Sequence, residues 1–177
     1  MANCGRLSAH DCAELLMNPS SPFPQALASR VSPQAVQGRL VWHAVIDVAD
    51  RQAWGAGPRG ERGCVPILGG QFWGGEGFED FHGEVCAHGA DRQTLRPDGI
   101  KELDALYEMR VHDGTIITVH NQVLIDESVQ PERYARSCIR VTAPQGPHAW
   151  LNRRLFVGTL QTLRPERQAV LVRGYML

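Results

Sequence analysis

Leu103, Ala105, Tyr107, Met109 and Val111 alternate with Glu102, Asp104, Leu106, Glu108, Arg110 and His112, and Leu106 is the one apolar intruder in the second set. A period of two sends the two sets to opposite faces of an extended strand. Asp113-Gly114 follows, and then a second β-branched run, TIITVHNQVLI, from Thr115 to Ile125. Asp-Gly between two such runs predicts a tight hairpin, because the turn needs positive φ and glycine supplies it without steric cost. Pro97-Asp98-Gly99 predicts a second turn of this kind. Glycines at 69, 70, 74, 75, 77 and 83 sit among strand-like residues. In strands, glycine marks bulges and the sharp bends at barrel corners.

Five segments carry a resemblance. They are VPILGGQF (65–72), GEVCAHGAD (83–91), RPDG (96–99), LDALYEMRVHDG (103–114) and AWLNRRLFVGT (149–159). In that order they resemble the bacterial and fungal family called domain of unknown function 3237, also known as uncharacterised protein family 0311. The similarity spans roughly Leu40 to Leu177. It implies an all-β fold, a closed antiparallel up-and-down β-barrel with a central cavity, and it brings no assigned reaction. One departure stands out. After Asn121 the family tends to have a Gly-containing polar turn, whereas this chain continues apolar through Ile125, so the loop beyond is expected to differ.

The N-terminal 39 residues read as an arm. Asp11 to Met17 fits a short helix capped by Ser8 and stopped by Asn18-Pro19. SPFPQ and VSPQ then read as linker, leaving residues 40–177 as the barrel domain. LVWHAVID supplies the first barrel strand, with Trp42 and His43 on opposite faces, and AVLVRGYML the last. WGAGPRGERG reads as a glycine-rich charged loop. Neither it nor GGQFWGGEG is a phosphate cradle, since no Gly-Lys-Ser/Thr follows and no strand-then-helix context surrounds them.

Charged residues make up 21% of the 177, and the net charge is −1. There is no basic field for a polyphosphate, so nucleic acid is not an expected partner. No apolar run approaches the ~18 residues of a membrane helix. The start of the chain lacks a signal-peptide pattern. Five cysteines, at 4, 12, 64, 86 and 138, form no CxxC, which reads as reduced thiols. The expectation is a cytoplasmic protein with no membrane partner and no cofactor, and a homodimer from base rates.

Candidate site residues come from face parity. On FHGEVCAH one face carries His82, Glu84, Cys86 and His88, which reads as a polar exterior, a pocket wall or a metal-binding face. Along one strand, same-face residues stand about 7 Å apart, too divergent for four to share one ion, so no metal ligand is assigned. Asp91, in Gly-Ala-Asp, is either a turn residue or a carboxylate at the cavity mouth. Tyr107 is either a core ring or a pocket hydroxyl. His120 and Asn121 face opposite ways, so at most one lines the cavity, and His120 is the stronger acid/base candidate. Glu84, Asp91, Tyr107 and His120 are therefore the catalytic candidates. Arg140 holds an anionic group if its face is interior and is a surface charge if not. In AWLNRRLFVGTLQT, Trp150, Asn152, Arg154 and Phe156 share one face, a pattern that suits a ligand wall.

Three functions fit. The first is a cofactor-free acid/base enzyme (isomerase, lyase or dehydratase, cyclase or lactone hydrolase) acting on a small aromatic or polyketide-like metabolite. The second is a lipocalin-like carrier of such a molecule. The third is a metal-dependent, cupin-like enzyme.

Overall fold

The computed structural model describes residues 23–177. The helix expected at Asp11–Met17 lies outside them. The chain divides into two compact units at Val36/Gln37. In the first, Phe23–Ala28 forms a short helix, α1. SPFPQ is therefore not all linker: Pro24 falls in the first turn, where its missing N–H costs nothing.

The second unit, Gln37–Leu177, is a closed antiparallel barrel. Its strands are β1 (Arg39–Val48), β2 (Gln52–Gly57), β3 (Gly60–Gly74), β4 (Gly83–Val85), β5 (Ala90–Leu95), β6 (Lys101–Val111), β7 (Ile116–Asp126), β8 (Tyr134–Thr142), β9 (Phe156–Thr162) and β10 (Ala169–Met176). The order β1-β10-β9-β8-β7-β6 continues through β4 and β5 to β3, and β3 returns to β1. The short β4 and β5 lie end to end between β3 and β6, so the wall has eight staves. Each stave neighbours the next in sequence, the up-and-down arrangement, and closure removes the free edges of an open sheet.

WGAGPRGERG is not a loop. Gly55–Gly57 pairs with Gly60–Arg62 as a hairpin extension of the wall, turning at Pro58-Arg59, and the register skips Trp54. The Asp113-Gly114 hairpin joins β6 to β7 in register from Arg110↔Ile116 to Lys101↔Ile125. Gly114 has φ +87 and Asp113 Oδ1 accepts the Thr115 N–H at 2.9 Å, so both residues do the work that the motif implies.

The inner face follows the alternation. Leu103, Ala105, Tyr107, Met109 and Val111 of β6 are buried, as are Ile117, Val119, Asn121, Val123 and Ile125 of β7. The barrel is filled unevenly along its axis. At one end Trp42 packs its ring 5.2 Å from Phe156 and 6.2 Å from Phe81, and Phe72 lies 5.1 Å from Phe81. Met109, Val111, Ile117 and Leu151 complete this plug. At the other end the inward side chains are shorter, and the barrel is hollow.

Candidate functional site

The hollow end holds a cavity of about 320 Å³, within the range of small-molecule sites. It is bounded by the end of β1, the middle of β3, the starts of β6 and β10, the ends of β7 and β9, and β5. Ile46, Ile67, Leu103, Val123, Leu160 and Val172 supply most of its apolar wall.

Its polar floor comes from one row of the sheet. Asp91 on β5 pairs with Ala105 on β6, and Ala105 pairs with Asn121 on β7. Neighbouring strands are about 4.8 Å apart, so Asp91 and Asn121 flank Ala105 with about 10 Å between their backbones. The methyl of Ala105 leaves the space between them open. Tyr107, two residues along β6, projects from the same face. Gly89 is pressed against it: a Cβ there would lie 2.6 Å from the Tyr107 Cβ.

Asp91 is 9% exposed. Its Oδ2 accepts from Gln93 Nε2 at 2.7 Å and its Oδ1 accepts the Asp104 N–H at 3.1 Å. Burial penalises the charged carboxylate and lifts its pKa from 3.8 to about 6; the two hydrogen bonds oppose the lift without cancelling it. Tyr107 is 1% exposed and burial pushes its hydroxyl pKa up, so it stays protonated and can donate. Among the described residues neither Tyr107 Oη nor Asn121 Oδ1 has a hydrogen-bond partner. Leaving a buried polar atom unpaired costs about 1–3 kcal/mol. Trp42 Nε1 and Ser137 Oγ share that state away from the cavity, so it is their place in the cavity lining, not the missing partners, that makes Tyr107 and Asn121 candidates here.

The mouth is cationic. Arg51, Lys101, Arg133 and Arg164 all line it, with Asp50. Lys101 and Arg133 share Glu127, at 3.6 and 3.3 Å, and Arg164 lies 3.7 Å from Asp50.

The structure brings Asp91 and Tyr107 together and separates the other candidates from them. His120 is on the outer face, its Nε2 2.5 Å from Asp104 Oδ1. The parity that buries Asn121 puts His120 outside, so the inward member of the pair is the amide. Glu84 is also outside, ion-paired with Arg110 across the β4–β6 ladder. Arg140 is exposed on β8 between the inward Ile139 and Val141. It pairs in register with His120, and both point away from the cavity.

Trp150 and Asn152 do not share a strand face. Ala149–Arg153 is a 3-10 helix, and the extended chain resumes at Phe156. With about three residues per turn, i and i+2 diverge. Trp150 stacks on Phe78 at 5.7 Å. Asn152 Oδ1 accepts the Ala143 N–H and its Nδ2 donates to the Ala143 carbonyl, both at 2.9 Å. Phe156 belongs to the aromatic plug. All three therefore build the filled end of the barrel and none touches the cavity. The face expected for His82, Glu84, Cys86 and His88 is broken as well. β4 stops at Val85, and His88 turns through φ +78 into β5. Among the described residues no three His, Cys, Asp or Glu side chains converge as metal ligands would.

Gln93 and the four mouth cations are not among the candidates read from the sequence, and Asn121 enters there only as the weaker alternative to His120. Asn121 carried a signal: it is the only polar residue in the inward series Ile117, Val119, Asn121, Val123, Ile125. Arg51, Arg133 and Arg164 lie outside the strands and have no periodicity to betray them.

A family model described as "Protein of unknown function (DUF3237)" matches residues 37–177. A UPF0311 protein of Clostridium acetobutylicum is 31% identical over 131 residues, covering 67% of this chain and 78% of its own length. The crystal structure of a conserved protein of unknown function from Rhodopseudomonas palustris aligns with TM-score 0.72 and 27% identity, over 81% of this chain and 99% of that one. A structure from Penicillium herquei, described as an enzyme, shares the fold at TM-score 0.62 and 18% identity, over 82% and 98% of the two chains. With its barrel matched from first strand to last, this chain belongs to the DUF3237 family.

Proposed function

We propose that this protein is a cofactor-free acid/base enzyme that moves a proton on a small, cyclic, oxygenated molecule held in the barrel, with Asp91 as the proton carrier. The observation that carries this reading is the Asp91 carboxyl, nearly buried, with a pKa near 6 and open to a cavity that also presents Tyr107 and Asn121. A carboxyl of that pKa is populated in both forms near neutrality, the condition for effective general acid/base work. A buried pocket group whose pKa is shifted by desolvation is a candidate for a functional role. The same fold serves an enzyme in P. herquei.

The chemistry follows from the positions. Ionised Asp91 takes a proton from the carbon next to a substrate carbonyl. Tyr107, protonated throughout, donates to the carbonyl oxygen as negative charge builds there, and the Asn121 amide adds a second polar contact. Protonated Asp91 then returns the proton to another carbon, which is isomerisation, or to a departing hydroxyl, which is dehydration. In a lactone the same carboxylate takes the proton from water as the water oxygen adds to the carbonyl carbon; the ring C–O bond then breaks and protonated Asp91 returns the proton to the departing ring oxygen. The apolar wall supplies affinity by burying the ring.

The test is proton exchange. 2-Tetralone and 1-indanone in D2O are followed by 1H NMR for loss of the α-proton signal, and dihydrocoumarin for ring opening. The expected result is catalysis by the wild type, a fall of about 100-fold or more in Asp91→Asn, and a smaller fall in Tyr107→Phe. Binding of these compounds with neither exchange nor ring opening would make the protein a lipocalin-like carrier and overturn the enzyme reading.

A further inference from the structure

The mouth of the cavity carries an excess of positive charge that neither the fold nor the proton chemistry requires. Arg51, Lys101, Arg133 and Arg164 come from four separate parts of the chain: the turn after β1, the start of β6, the segment before β8 and the segment after β9. Against these four cations stand two rim carboxylates, Asp50 and Glu127, which leaves the rim at +2. Asp47, the nearest further acid on β1, is taken by Arg167 in a two-bond pair at 2.6 and 2.7 Å. Among the described residues Arg51 has no ion-pair partner. The whole chain has net charge −1, so the excess is local.

Depth matters as well. Lys101 stands four residues along β6 from Ala105, about 13 Å at strand rise. Between the Lys101 and Ala105 levels β6 and β7 present the apolar Leu103 and Val123, with Gln93 beside them on β5 already bonded to Asp91. A single ligand touching both levels therefore has a polar atom at one end, an apolar body, and a charged group at the other end.

We infer that the ligand of this cavity carries a carboxylate or similar anionic oxygen group, bound at the rim by Arg51, Arg133, Arg164 and Lys101, with its uncharged ring system directed to Asp91. The inference rests on reading the cavity as the substrate site and adds the chemical class of that substrate. Arginine suits the role because its planar fork meets a carboxylate with two parallel hydrogen bonds. The arrangement also keeps the anionic end away from Asp91, whose ionisation a second negative charge in the buried floor would oppose.

The test compares 2-naphthoate with 2-naphthamide, two probes of nearly the same shape that differ in charge, by saturation-transfer NMR and titration at 0.05 M salt. The expected result is that the acid binds at least about tenfold more tightly than the amide, and that 0.5 M salt removes most of that difference. Arg51→Gln and Arg164→Gln, both at exposed side chains that leave the core intact, should each weaken the acid several-fold and leave the amide unchanged. Charge reversal in Arg164→Glu should weaken the acid further. Ala105→Leu, which fills the floor, should abolish binding of both probes. Equal affinities for acid and amide, with no effect of the arginine variants but loss of both in Ala105→Leu, would overturn the anionic ligand and leave the cavity reading standing. Binding of neither probe, or binding indifferent to Ala105→Leu, would overturn both.

Discussion

Replacing Asp91 by asparagine should make the protein more stable at neutral pH and leave it unchanged in acid. The carboxyl binds its proton more tightly folded, at about 6, than at its ordinary value of 3.8. Below pH 4 both states carry the proton and the group is silent. Between 4 and 6 the unfolded chain releases the proton while the folded chain keeps it, so stability falls as pH rises. Above 6 the full cost is present: 6 minus 3.8, at about 1.4 kcal/mol per pH unit, is about 3 kcal/mol. Asparagine has the same shape and no charge, and it keeps an oxygen for the Asp104 N–H. Gln93 can turn its amide to meet the new donor. The assay is urea unfolding of both proteins at several values between pH 4 and 8. The difference between them should be near zero at pH 4, grow through pH 5–6, and level off at about 3 kcal/mol, which is roughly 10 °C in Tm for a domain of this size. A difference that does not change with pH, or one that favours the wild type at pH 7.5, would mean that Asp91 is not desolvated and would remove the basis for its catalytic role.

Three further outcomes are expected. Ala105→Leu adds three carbons into open space, so it should preserve or raise stability, by up to about 2 kcal/mol in chemical denaturation, where the same change in the filled half of the barrel would cost 1–3 kcal/mol. His120→Ala should leave any turnover intact and cost less than about 1 kcal/mol, because it removes only an exposed pair with Asp104; a dead but folded variant in the exchange assay would contradict the outward placement. Gly114→Val should cost about 1–3 kcal/mol, measured by thermal unfolding. No atom crowds the site, so the whole loss comes from holding a β-branched residue at φ +87.

The barrel was legible because strand signals are local. The alternation on β6 and the Asp-Gly turn after it decide the β6–β7 hairpin before any long-range contact forms. The ends of the sequence motifs were less reliable. AWLNRRLF reads as an alternating strand, yet its first five residues coil into a 3-10 helix and serve the plug. FHGEVCAH reads as one face, yet the strand ends at Val85. In both, the neighbouring turn set the backbone and overrode the pattern of residue types.

Parity in the sequence determined which side chains travel together: His120 apart from Asn121, and Tyr107 with Ala105 and Met109. It could not say which set faces inward, because that is settled only when β10 meets β1 and β1 meets β3 and the sheet acquires an inside. Nor could it say where along the axis the interior is full. Met109 lies in the plug and Ala105 beside the cavity on the same face of one strand, since filling depends on the summed volume of inward side chains from all eight staves at each level. The rim cations, scattered from Arg51 to Arg164, become neighbours for the same reason: closing the barrel brings to one mouth loops that are distant in the chain.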